Sequence, residues 1–579
     1  MPPQTKEWTL IFYFASDNPL APSTVSQLKA IKQAGFHPEA NVVVQFDPHT
    51  EGTPTHVFDV NLVEKLKAGD KANVGFASND PFVRKLMDDK LWRGQKDRHG
   101  KLIKERIGET LKGTLAPGRS YAPPEPPPDR NEPAPGEGGE PEELGPRKSL
   151  EKFLKFCSDY YPARHYALFV IGHGLVVGND VFLYDEHGDE HSLSLIELGG
   201  VLSTFKRDLA KRGAEFELIG FHSCSVSSLE VAYELQGTAN YMLASQGPAF
   251  VGSWPYRQIL IRVFNDLENL RKTGKKIDVK EMLGKIFSYC VHNSADFMLA
   301  GYSFDLCLCN LKKVPELQES LRELSGALVE GLSNALVRDF ILLAHWKAQS
   351  FWQESYTDLY DFCLCLSNRC EEYELEGGPP LGVMKTVREA CVEVMKRLVK
   401  ERPPSPDNPR PGDDNFIIRA EFAGPAYQYA HGQSIFFPWA EPTSDSPVMA
   451  SYRRYKFNET TWHTFLERYF VETLRQTRQN EREPEALRPR VADVRQPGAD
   501  DELLEDMASL VYHREGASST GNTLSDPPPP RGKVNPRDLT GEDCSCTPIK
   551  NYPRDLRPRE DRARQADAKT APVSETFSS

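Results

Sequence analysis

Two residues at the ends of apolar runs have the types and spacing for nucleophilic chemistry. His173-Gly174 closes the run ALFVIG, and Cys224 follows ELIGFHS. The histidine comes first and the separation is 51 residues (173 to 224). A cysteine thiol has a free pKa of about 8.5 and becomes an effective nucleophile when an imidazole takes its proton. Glycine directly after the histidine would let its backbone N–H approach an oxyanion with no Cβ in the way. The N–H of Cys224 would be the second donor. Taken singly, each residue has a plainer reading: His173 as a turn residue and Cys224 as a small buried hydrophobe. The pair, in this order at matching run ends, favours chemistry.

Such a pair needs neighbouring parallel strands to bring it together. Trp8–Phe14 and Asn41–Asp47 read as buried strands, with the helical spacing of Thr24–Ala34 between them. Then follow helix Leu150–Tyr160, strand His165–Gly172, helix Ser194–Arg212, strand Glu215–Phe221, helix Ser228–Leu235 and strand Tyr241–Ala244. Strands alternating with helix-length patterns predict a mainly parallel sheet covered by helices, an α/β class. In such sheets the chemistry collects at the carboxyl ends of strands. The start of the helix after Cys224 also favours negative charge.

The rest of the chain sets limits. At 579 residues it exceeds one compact core. We divide it into a core at 1–310, a helical and mixed part at 311–475 and a disordered tail at 476–579. A Pro-, Gly- and Glu-rich insertion at about 116–146 is expected to be disordered and to split the sheet. The final part includes an apolar strand, Ser434–Pro438, and a helix around Trp462–Phe470. A net charge of −13 disfavours a general nucleic-acid binder. No run approaches the length of a membrane span and no secretory leader is read, so the expected location is cytoplasmic. The eleven cysteines show no disulfide-framework spacing and read mostly as buried free thiols. Cys544 and Cys546, as C-x-C, are a weak metal signal.

Several segments together resemble the clostripain-like family of cysteine peptidases, whose fold is that of the caspases. YPARHYALFVIGHG resembles the strand leading to that family's catalytic His-Gly, and ELIGFHSCSVSSLEVAYEL its nucleophile segment. WTLIFYFASDNPL, YDEHGDEHSLSLIEL, YMLASQGPAFVGSWPY, TDLYDF, HGQSIFFP and TWHTFLERYF also match, in order, over about residues 8–470. The spacing agrees with the interval of about 50 residues described for caspases. The resemblance implies a caspase-like fold with a Cys224–His173 dyad cleaving a protein or peptide substrate through an acyl-enzyme. It assigns the oxyanion site to Gly174 and Cys224 and the substrate pocket to His222, Ser245, Gly252 and Trp254.

The chain also departs from the family. Its members favour Arg or Lys before the scissile bond and hold that cation with acidic residues, where this chain has His222 and Gly252. The stretch 174–205 lacks the basic residue after which relatives are often matured. A neutral or acidic preference is therefore expected, with His222 lining the pocket and titrating near 6.5. No cofactor is expected. The family's calcium dependence could fall on Asp185, Glu186, Asp189 and Glu190, which read equally as a solvated turn. Two other functions stay open: a pseudo-peptidase that binds without cutting, and a scaffold whose Pro-rich segments recruit a regulatory partner.

Overall fold

The computed structural model describes residues 5–16, isolated positions within 24–34, and 37–46, 56–59, 146–174, 182–183, 192–299, 303–352, 354–399, 415–424, 426–442 and 448–482. The expected insertion, the acidic cluster at 185–190, Cys544, Cys546 and the tail beyond 482 lie outside these residues.

Eleven strands are described. Eight of them, β1 (Lys6–Phe14), β2 (Ala40–Phe46), β3 (His56–Asp59), β4 (Ala163–Ile171), β5 (Glu215–His222), β6 (Tyr241–Ala244), β7 (Phe304–Asn310) and β10 (Ile417–Ala423), form one sheet in the order β10-β7-β6-β5-β4-β1-β2-β3. The pairings among β2, β1, β4, β5 and β6 are all parallel. The edges are antiparallel: β3 on β2, β7 on β6 and β10 on β7. The α/β class with a mainly parallel, helix-flanked sheet is as expected. The ends of β1, β2, β4, β5 and β6 fall within two residues of those read from sequence, because continuous apolar runs suit strands covered on both faces.

Alternation along these strands feeds two cores. Ile11, Tyr13, Val43, Leu168, Val170, Ile219 and Phe221 face one, while Leu10, Phe12, Val42, Val44, Phe169, Ile171 and Leu218 face the other. The second core is closed by α4 (Tyr256–Thr273) and α5 (Val279–Leu299). There Phe12 stacks on Phe169 at 5.0 Å and meets the edge of Tyr256 at 5.3 Å. Burying each such side chain stabilises the fold by about 2 kcal/mol.

The first core is larger. On the sheet side it takes α1 (Pro146–Tyr160), α2 (Leu195–Ala210) and α3 (Leu229–Glu234). It then runs on through α6 (Val314–Leu332), α7 (Ala335–Lys347), α8 (Leu359–Leu375), α9 (Gly382–Leu398), α10 (Val448–Tyr452) and α11 (Trp462–Arg482). Ser194 caps α2 with a reciprocal box: its hydroxyl accepts from the Glu197 N–H at 3.2 Å, and Glu197 accepts from the Ser194 N–H at 3.0 Å. A second sheet, β11-β9-β8, comprises β8 (Ser350–Phe351), β9 (Tyr356–Asp358) and β11 (Ser434–Phe436). The apolar run at 434 is thus a strand, but in this small sheet. Strand β10, from the part read as helical and mixed, completes the edge of the main sheet.

Candidate active site

Strand register brings the two chemical residues together. β4 and β5 run parallel with Ile171 opposite His222. His173 and Cys224 each follow two residues later, at adjacent carboxyl ends. Gly174 lies against the backbone of Cys224. A Cβ there would overlap the Cys224 carbonyl oxygen and come within 2.8 Å of its carbonyl carbon. Only glycine permits that approach.

Both side chains are buried, His173 to 1% exposure and Cys224 to 3%. Burial drives the His173 imidazole well below its ordinary range, so the ring is neutral at pH 7 and able to accept a proton. The Cys224 thiol sulfur accepts a hydrogen bond from the Ala249 N–H at 3.2 Å. Ser225, the next residue, sits in the left-handed region at φ 55°, a conformation costing a non-glycine residue about 1–2 kcal/mol.

The segment after β6 holds this turn. The Ser245 carbonyl accepts from the N–H groups of Val226 at 3.0 Å and Ser227 at 2.9 Å. The Gly247 carbonyl accepts from the Ser225 N–H at 3.0 Å, and the Gln246 carbonyl from the Ser225 hydroxyl at 3.2 Å. Ser245 therefore acts here through its backbone, holding the turn after Cys224.

His222 is placed differently from expectation. Its ring stacks on Trp254 at 4.9 Å, its Nδ1 pairs with the Tyr256 hydroxyl at 2.9 Å, and its Nε2 pairs with the Phe250 carbonyl at 2.6 Å. Burial takes the imidazole down to about 4, so the expected titration near 6.5 is corrected by desolvation, and a neutral ring is what this enclosure favours. Trp254 is likewise buried, at 2% exposure. Gly252 is partly exposed, and its carbonyl accepts from Asn293 Nδ2 at 2.6 Å. His431 is stacked on Tyr360 at 4.4 Å, with its backbone N–H donating to Asp358 at 2.6 Å.

Sequence reasoning missed a second tier of residues. Asp305 on β7 accepts from the Gln246 N–H at 2.7 Å and the Gly247 N–H at 2.8 Å. Burial pushes its carboxyl up to about 7; the two N–H groups oppose that shift, and the Asp358 charge adds to it. Gln246 in turn donates to Asp358 at 3.0 Å and accepts from the Gly432 N–H at 2.8 Å. Ser227 donates to the Gly432 carbonyl at 2.7 Å and accepts from Gln433 at 2.8 Å. The available signal was an acid inside an apolar strand, FDLCLCN. Among the described residues no group of three or more His, Cys, Asp or Glu could hold a metal ion, and no helix is long and apolar enough to cross a membrane.

The sequence profile of the clostripain peptidase family matches residues 138–391. No curated protein matches the chain in sequence. Among solved structures, a secreted C11 cysteine protease from Bacteroides thetaiotaomicron, bound to an irreversible peptide inhibitor, is similar at 12% identity. The match covers 80% of this chain and 99% of that one, with a TM-score of 0.42. An inactive zymogen C11 protease from Parabacteroides distasonis is similar at 14% identity, over 80% and 100% of the two chains, with a TM-score of 0.43. Another secreted C11 protease structure from B. thetaiotaomicron, iotapain, is 13% identical over 80% and 100%, with a TM-score of 0.40. Two of these three are described as secreted, which overturns the cytoplasmic expectation. From β4 and the His173-Gly174 that follows it, through Cys224, to the helices beyond, the stretch 138–391 is similar to the clostripain family of cysteine peptidases.

Proposed function

We propose that the chain hydrolyses peptide bonds within a protein or peptide substrate, with Cys224 as nucleophile and His173 as its acid–base partner. The observation that carries this is the register of β4 on β5, with Gly174 lying against Cys224. His173 takes the thiol proton as Cys224 Sγ attacks the scissile carbonyl carbon. The backbone N–H groups of Gly174 and Cys224 receive the oxyanion. His173 then gives its proton to the departing amine, the C–N bond breaks, and a thioester remains. Water attacks that thioester while losing a proton to His173, and the thiolate leaves and is reprotonated. Burial disfavours the charged imidazolium, which leaves the His173 ring able to take that proton.

The substrate side chain before the cut is proposed to be neutral. A buried cation needs a carboxylate partner. Where the family resemblance expects carboxylates, this chain has a stacked, neutral His222 and the backbone of Gly252. Trp254, stacked on His222, frames the same region from behind. A positional-scanning fluorogenic library reads the preference directly, and cleavage only after Arg or Lys would overturn it. For the dyad, Cys224→Ala should abolish hydrolysis of any peptide the wild type cuts. If wild-type turnover survived in that variant, Cys224 would not be the nucleophile. Failure of Cys224 to react faster than the other thiols with an active-site probe would favour a binding role without catalysis.

A further inference from the structure

We infer that Asp305 is a positioning residue for the nucleophile, acting through the backbone of Gln246 and Gly247; this rests on the reading of Cys224 given above. Asp305 does not act on substrate. Its two carboxylate oxygens each take one of two consecutive N–H groups, at 2.7 and 2.8 Å. The carbonyls of those same two residues are the acceptors that hold Ser225, through its N–H at 3.0 Å and its hydroxyl at 3.2 Å. Asp305 is 2% exposed, so water offers those N–H groups little alternative.

The physical need for such a grip lies at Ser225. A non-glycine residue in the left-handed region persists only where its surroundings over-determine it. Here the strained residue directly follows Cys224, so any relaxation of its φ turns the Cys224 peptide and re-aims Sγ. Of the groups holding Ser225, two are carbonyls of a segment that lies outside helix and strand; Asp358 and Gly432 hold its Gln246 side chain, and Asp305 holds its backbone from β7. A carboxylate suits the task because both its oxygens accept. An asparagine would offer one acceptor and turn an NH2 donor toward the other N–H. Gly247 fits the same design, since a Cβ there would come within 3.0 Å of Asp305 Oδ1.

The test uses the full chain and two readouts. The first is the rate at which iodoacetamide alkylates Cys224, followed by mass spectrometry, which needs no peptidase activity. The second is kcat against KM on a fluorogenic peptide. Asp305→Asn should slow alkylation and lower kcat at least about tenfold while KM moves little. Ser225→Gly added to Asp305→Asn should restore part of the lost kcat, since glycine adopts φ > 0 without strain. A merely structural aspartate would show no such rescue. If Asp305→Asn does not fold, Asp305→Glu carries the same test, keeping the charge and shifting the oxygens by one methylene. Unchanged alkylation and kcat in the folded variant, or a defect that Ser225→Gly does not relieve, would overturn the inference. A wild type that hydrolyses nothing would instead overturn the proposed function, with the alkylation comparison still deciding the role of Asp305.

Discussion

Cys224 is held differently on its two sides. Toward β4, the contact is a bare backbone approach: Gly174 meets the Cys224 carbonyl with no side chain between them. Toward β6 and β7, the contact is a hydrogen-bonded scaffold that passes from Asp305 through Gln246 and Gly247 to Ser225. The first side carries the partner that would exchange protons; the second carries the geometry. The difference teaches that two adjacent strands suffice to bring His173 and Cys224 together, whereas the turn after Cys224 is held from elements over eighty residues further along the chain (224 to 305) and beyond. That wider brace reaches Gly432 and Gln433, which close on Ser227.

The comparison breaks first at the dyad. Cys224→Ala and His173→Ala should each lower kcat by at least about 1,000-fold, and the double variant should be no worse, because the two act as one unit. Fluorogenic assays beside thermal melts check this, with melting near wild type expected for Cys224→Ala. On the β4 side, Gly174→Ala should cost about 100-fold in kcat/KM, since the added methyl forces the two loops apart by a fraction of the reacting distance. Activity within twofold of wild type would mean that the close approach has no part in the chemistry. On the other side, Ser227→Ala removes one donor and one acceptor from the brace. It should cost about 1–3 kcal/mol of stability, read by urea unfolding, with a smaller effect on kcat/KM than Asp305→Asn.

The smallest effect sharpens the role of His222. Its folded pKa of about 4 lies below the ordinary 6.5, so its contribution to stability is complete above pH 6.5 and is lost as pH falls toward 4. His222→Gln should therefore lose about 2 kcal/mol less stability than wild type between pH 7 and pH 5. Both proteins retain His173, which shifts in the same direction and so cancels in the difference. Equal slopes in the two proteins would show that His222 is not the neutral, enclosed ring described here.

The parallel strands β1, β2, β4, β5 and β6 were legible because burial on both faces demands unbroken apolar runs, and NVVVQF or ALFVI admits little else. The adjacency of His173 and Cys224 was legible for a related reason: in a parallel sheet, residues that end equivalent runs share one edge, so spacing along the chain becomes proximity in space. Strand β10 was not legible as part of that sheet. Its sequence, IIRAEFA, alternates weakly, and only its antiparallel pairing to β7 places it. TDLYDF and HGQSIFFP carried the resemblance, yet their use as a brace needed the contacts of Asp358 and Gly432 with Gln246.

What the sequence by itself determined is the α/β class, the order of the parallel strands' elements, and the candidacy of His173 and Cys224. These depend on periodicity and on local chemistry, both of which are written along the chain. Only the tertiary structure decided which way His222 is used, and that an acid within FDLCLCN stands behind the turn that follows Cys224. A carboxylate in an apolar strand has many structural uses, and which one it serves depends on the backbone groups that fold against it. Those groups come from a loop some sixty residues away (246 to 305), and nothing local in either segment specifies the meeting.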